Sequence, residues 1–137
     1  MIEINNLTGF KADKKSFSQV AKKVLKGENK RNTCLSEGRE ALSLAFVSKT
    51  EMQKLNKKYR GKNKPTDVLS FSGINEIVIC PEIVKENAKK YGTSAKDEIM
   101  KVFVHGILHL CGYDHEKSEK EARKMGEKEE FYLKIKN

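Results

Sequence analysis

Apolar residues along the chain recur at two spacings, and the alternation between them predicts strands interleaved with helices. Residues 2–5 read as the start of an edge strand. From Asp13 to Lys26, Phe17, Val20, Ala21, Val24 and Leu25 fall at i, i+3, i+4, i+7 and i+8, which predicts an amphipathic helix stopped by Gly27. Residues 40–48 read as a strand, with Leu42, Leu44 and Phe46 on one face and small residues opposite. Thr50-Glu51-Met52-Gln53 has a capping-box pattern that opens a short helix presenting Met52, Leu55 and Tyr59 and ending at Gly61. The loop Gly61–Pro65 then leads to two short strands, Val68–Phe71 and Glu76–Cys80, joined across Gly73. Pro81 suits the first position of a helix that stops at Gly92.

Ser94 caps the next helix, which runs to Cys111 with Gly112 as its terminator. Its stretch Ile99–Cys111 is apolar on nearly every side, and a helix with no polar face belongs in the middle of a core. Yet it carries His105 and His109. The last predicted helix, about 118–133, is strongly charged, with Ala122, Met125, Phe131 and Leu133 to bury, and is expected on the outside.

Composition adds bounds to this pattern. At 137 residues, 37% hydrophobic and 34% charged, the chain can bury one core, so a single domain over residues 1–137 is expected. No apolar run approaches the ~20 residues of a bilayer span, and Met1–Asn6 lack the basic and apolar regions of a secretory signal. A cytoplasmic protein with no membrane partner is expected. Three cysteines, Cys34, Cys80 and Cys111, form no CxxC pair and are expected as free thiols in a reducing compartment. The net charge of +9 is uneven: residues 1–64 hold 16 Lys and Arg against 6 Asp and Glu, whereas residues 65–137 hold 12 against 13. That split fits a polyanionic partner, because basic side chains displace the counterions around phosphates. It fits a solvated basic surface equally well.

All three histidines lie between positions 105 and 115, in His105-Gly106-Ile107-Leu108-His109-Leu110-Cys111-Gly112-Tyr113-Asp114-His115. Residues four apart share a helix face, so His105 and His109 can aim at one point. Gly112 lets the chain leave the helix, through a left-handed conformation, and fold His115 back towards them. Three imidazoles make a metal site that suits one zinc ion best, although nickel, copper and iron also accept such donors. Cys111 points to the opposite side of the helix and is discounted as a ligand. Three protein ligands leave the fourth tetrahedral position open, the arrangement of catalytic rather than structural zinc. Such a centre acidifies water and polarises a phosphoryl oxygen. The H-x-x-x-H spacing also suggests a zinc peptidase or amidase, but the glutamate of H-E-x-x-H is replaced here by Gly106.

The form H-G-x-L-H-L-x-G-Y-D-H, together with Asn56-Lys57-Lys58-Tyr59-Arg60 and Thr66-Asp67-Val68-Leu69-Ser70-Phe71, closely resembles the YbeY family of bacterial single-strand-specific, metal-dependent endoribonucleases. The resemblance implies an α/β (α+β) fold, a small mixed sheet flanked by helices, with zinc on His105, His109 and His115. It implies a functional arginine in the metal-lined cleft, at Arg60. It also implies processing of ribosomal RNA, notably the 3′ end of the small-subunit RNA, and ribosome quality control, with the small subunit and assembly factors as partners. The chain departs from the family at Asn75-Glu76, where members commonly have Gly-Asp, and in the short link from Phe71 to that strand.

A planar guanidinium at Arg60 suits a phosphate, since it donates paired hydrogen bonds and stays charged. The neighbouring Lys57, Lys58, Lys62 and Lys64 are candidate contacts to the backbone of single-stranded RNA. Asp114 either orients a ligand imidazole or caps the chain reversal. A third reading is an RNA-binding ribosome-assembly factor in which zinc only holds the fold.

Overall fold

The computed structural model describes residues 2–29 and 42–134. Four strands, β1 (Ile2–Asn6), β2 (Leu42–Phe46), β3 (Val68–Phe71) and β4 (Glu76–Ile79), form one sheet in the order β1-β2-β4-β3. The pairs β1–β2 and β2–β4 are parallel, while β3 runs antiparallel to β4 at the edge, with Val68 opposite Ile79 and Phe71 opposite Glu76. Five helices complete the described fold: α1 (Lys14–Asn29), α2 (Lys49–Arg60), α3 (Pro81–Tyr91), α4 (Ala95–Leu110) and α5 (Glu119–Lys134). The mixed α/β class expected from the sequence is the one observed.

Alternation along the strands divides the core in two. Leu42, Leu44 and Phe46 of β2 and Ile77 and Ile79 of β4 join side chains of α1, α4 and α5 in the larger cluster. Ala45, Leu69 and Val78 belong to a smaller cluster with Met52 of α2. Helix α4 packs on α1, α3 and α5 and on strands β3 and β4. Its Phe103 is fully buried and meets Phe17 of α1 edge-on, with ring centroids 5.0 Å apart. Truncating such a ring costs about 3–5 kcal/mol. The near-continuous apolar pattern of this helix is therefore a record of its central position.

Several elements differ locally from their predicted form. The predicted strand 40–48 is a strand from Leu42, and its first two residues lie outside the described residues. Helix α1 passes through Gly27 to Asn29. A Cβ at Gly27 would lie 2.3 Å from the Tyr132 hydroxyl, so this glycine serves the close approach of α5 and not helix termination. The cap of α2 is Ser48, whose hydroxyl accepts the Glu51 N–H at 3.2 Å, two residues before the predicted Thr50. In α5, Phe131 and Ala122 are exposed, and Tyr132 and Met125 are buried. A single 3-10 turn over Ser72–Ile74 joins β3 to β4, closing on Asn75 at φ 49°. Asparagine tolerates that left-handed conformation better than most residues. Cys80 is a buried free thiol, as expected, whereas Cys111 is disulfide-bonded, contrary to that expectation; Cys34 lies outside the described residues. Among the described residues, no helix is long and apolar enough to cross a membrane.

Candidate metal centre

The three histidines converge. Helix α4 presents His105 and His109 one turn apart, and then ends in a Schellman arrangement: Gly112 N–H donates to the His109 carbonyl at 3.0 Å and Tyr113 N–H to the Leu108 carbonyl at 3.1 Å. Gly112 adopts φ 99°, a conformation that favours glycine, and the reversal brings His115 back over the helix end. His109 Nε2 lies 3.1 Å from His105 Nε2 and 3.2 Å from His115 Nδ1, and all three ligand atoms fall within 4.8 Å of one another. Nitrogens held about 2.0–2.1 Å from a tetrahedral centre are separated by about 3.3–3.4 Å, so the two shorter spacings match a shared metal ion. These residues therefore form a group fit to hold one.

The second nitrogen of His105 is also engaged. His105 Nδ1 donates to Glu129 Oε2 of α5 at 2.9 Å, which leaves the Nε2 lone pair facing the cluster. Burial, and then the adjoining His105 and His115 rings, push His109 below its ordinary value; a backbone hydrogen bond with Tyr113 and the Asp114 charge oppose this. The outcome favours the neutral imidazole, which is the ligand form. Asp114 itself caps the reversal: its Oδ1 accepts the Glu116 N–H at 3.0 Å, and its carbonyl accepts the Lys117 N–H at 3.2 Å. Of the two roles considered for Asp114, the capping bond is the one observed, and the carboxylate bonded to a candidate ligand ring is Glu129.

The histidines lie in a cleft of about 990 Å³. Arg60, Lys62, Lys64 and Asp114 line it, whereas Lys57 and Lys58 are exposed on α2 and are not among its lining residues. Arg60 is held in place: its Nη2 donates to the Ser70 carbonyl at 3.0 Å and its guanidinium carbon lies 6.0 Å from the centre of the Phe71 ring. Ser70 in turn donates from its hydroxyl to the Gly106 carbonyl at 3.1 Å, which links Arg60 through β3 to the histidine helix. Buried Asn56 donates to the Lys64 carbonyl at 2.8 Å and fixes the loop that carries Lys62 and Lys64. A Cβ at Gly106 would lie 3.0 Å from Ile77 and 3.2 Å from the Ser70 hydroxyl. The position occupied by glutamate in H-E-x-x-H thus faces the sheet, which removes the usual support for a peptidase.

The sequence reading missed Lys101, Tyr91 and Glu129, all of which line the cleft. Lys101 precedes His105 by four residues, so helical spacing alone placed it on the histidine stripe, and the apolar character of the rest of the helix obscured it. For Glu129 the available signal was the inward row Met125, Lys128, Glu129 and Tyr132, at i, i+3, i+4 and i+7. Tyr91 carried no signal beyond its aromatic character.

Residues 3–137 match the family described as Endoribonuclease YbeY. The chain is 44% identical over 109 residues to the endoribonuclease YbeY of Bdellovibrio bacteriovorus, across 76% of this chain and 67% of that protein. It is 33% identical over 148 residues to that of Sulfurovum sp., across 97% of this chain and 92% of that protein. The match to the Thermotoga neapolitana protein is 45% identical over 95 residues and spans 64% of that relative's length. The solution structure of TM1509 from Thermotoga maritima is similar throughout, with a TM-score of 0.62 and 34% identity over 97% of this chain and 87% of that one.

Proposed function

The chain belongs to the Endoribonuclease YbeY family, and from that premise we propose that it is a zinc-dependent endoribonuclease acting on single-stranded RNA. Its role would be cytoplasmic: maturation of the 3′ end of small-subunit ribosomal RNA and ribosome quality control, in contact with the small subunit and its assembly factors. The observation that supports this best is the three-histidine group in a cleft also lined by Arg60, Lys62, Lys64 and Lys101.

When bound on His105, His109 and His115, zinc would supply a Lewis acid for water and for a phosphoryl oxygen. The chain's own residues do the rest. Arg60, already oriented by Ser70, turns its remaining donors to the phosphoryl oxygens and stabilises charge that grows there in the transition state. Lys62, Lys64 and Lys101 hold the flanking phosphates, and Lys57 and Lys58 meet the strand only beyond the cleft. Tyr91, 62% exposed, offers a ring on which an unpaired base can stack. Bases inside a duplex are already stacked and cannot reach it.

The test is cleavage of an unstructured RNA oligonucleotide by purified protein, with and without chelator, alongside elemental analysis. Cleavage that is lost on chelation, restored by zinc and absent on a duplex is the expected result. Zinc-loaded, folded protein that leaves single strands intact would overturn the assignment and favour the assembly-factor reading.

A further inference from the structure

Glu28, at the end of α1, is a carboxylate with 0% exposure among the described residues. Its Oε1 accepts the Tyr113 hydroxyl at 2.7 Å. Its Oε2 accepts the Tyr132 hydroxyl of α5, with the Lys128 ammonium at 3.4 Å. Burial works against the charged form, but the hydrogen bonds from Tyr132 and Tyr113 and the Lys128 charge outweigh it and hold the carboxyl below its ordinary range. An apolar side chain would fill this space without the penalty of burying a charge. What it would not do is accept the Tyr113 hydroxyl.

Tyr113 is a junction between this buried carboxylate and the histidines. Its backbone N–H closes the end of α4 on Leu108, and a further backbone bond engages the His109 ring. It precedes His115 by two residues, in a loop whose other residues from Gly112 to Lys117 are all exposed. The phenol is therefore the buried side-chain anchor of a loop whose other side chains, the capping Asp114 among them, are exposed. We propose that Glu28 is a positioning residue for the metal centre, acting through Tyr113 to hold the loop that presents His115 and braces His109. The inference rests on the zinc reading above. It assigns a task at the metal centre to a residue 77 positions before its first ligand, as the numbering of Glu28 and His105 gives it.

Two conservative substitutions separate positioning from stability. Tyr113→Phe and Tyr132→Phe each remove one hydroxyl from the same carboxylate and keep the ring, but only the first touches the His115 loop. Zinc affinity is measured by competition with a chromophoric chelator, and ligand geometry by the visible absorption of the cobalt-loaded protein. Tyr113→Phe is expected to weaken zinc binding about 10–100-fold and to alter the cobalt spectrum. Tyr132→Phe is expected to lower the melting temperature while leaving affinity and spectrum as in wild type. Wild-type affinity and spectrum in Tyr113→Phe would overturn the proposal, as would equal losses in both variants. A wild-type chain that binds neither metal would overturn the zinc reading itself, and the positioning role with it.

Discussion

Removing the Glu129 carboxylate tests whether the centre depends on a partner outside its ligands. In Glu129→Ala, His105 loses the acceptor that sits 2.9 Å from its Nδ1. Both side chains are well shielded, at 24% and 13% exposure, so solvent replaces the lost bond poorly. A hydrogen bond to a charged group contributes about 1.5–3 kcal/mol net. At about 1.4 kcal/mol per decade, its loss corresponds to a fall in zinc affinity of about 10–150-fold. Glu129→Gln keeps an acceptor oxygen without the charge and should lose less, about tenfold. Chelator competition on folded protein reads the change, with Glu130→Ala, altered on the exposed side of the same helix, as the control. Wild-type zinc affinity in Glu129→Ala, or an equal loss in Glu130→Ala, would refute this dependence on Glu129.

Arg60→Ala should lower RNA turnover about 10²–10³-fold if it removes one transition-state donor, and Arg60→Lys should remain clearly impaired because it loses the planar fork. Zinc content and melting temperature should barely move in either; wild-type cleavage by both would remove Arg60 from the reaction. Reversing Lys62 and Lys64 to Glu should weaken single-stranded RNA binding and flatten its salt dependence more than the same change at Lys57 and Lys58, which lie outside the cleft lining. Equal effects of the two pairs would place the RNA path along α2. Because Glu28 is held below its ordinary value of 4.5, its contribution to stability is present above that pH and lost as pH falls through the depressed value. Urea midpoints should therefore fall more steeply on acidification in wild type than in Glu28→Gln, a difference that cancels histidine protonation common to both; parallel curves would refute it.

Much of the secondary structure was legible because helix and strand periods are short-range properties. The faces of α1, β2 and α4 followed from spacing alone, and so did the pairing of His105 with His109, which needs only four residues of helix. The return of His115 was legible through Gly112, since the conformation that ends α4 is local too. Local pattern had no access to which elements meet. Gly27 has the form of a helix stop and is instead the seat of Tyr132, 105 positions later by the same numbering. The apolar census of α5 favoured Phe131, yet packing on the core turns Tyr132 inward, because the helix must present Met125, Lys128 and Glu129 on the same face. Arg60 was a candidate from its motif, but its anchoring by Ser70 and Phe71 required the edge strand to lie beside the end of α2. The division of charge between the two halves likewise said nothing of Lys101, from the less basic half, which joins Lys62 and Lys64 in one cleft. The sequence by itself determined most of the elements, the three-histidine group and the chemistry such a group favours, since each depends on neighbours within a turn or two. The carboxylate facing His105 Nδ1, the buried carboxylate behind Tyr113 and the walls of the cleft were decided only in the tertiary structure, where side chains far apart in the chain come within hydrogen-bonding distance through the packing of one core.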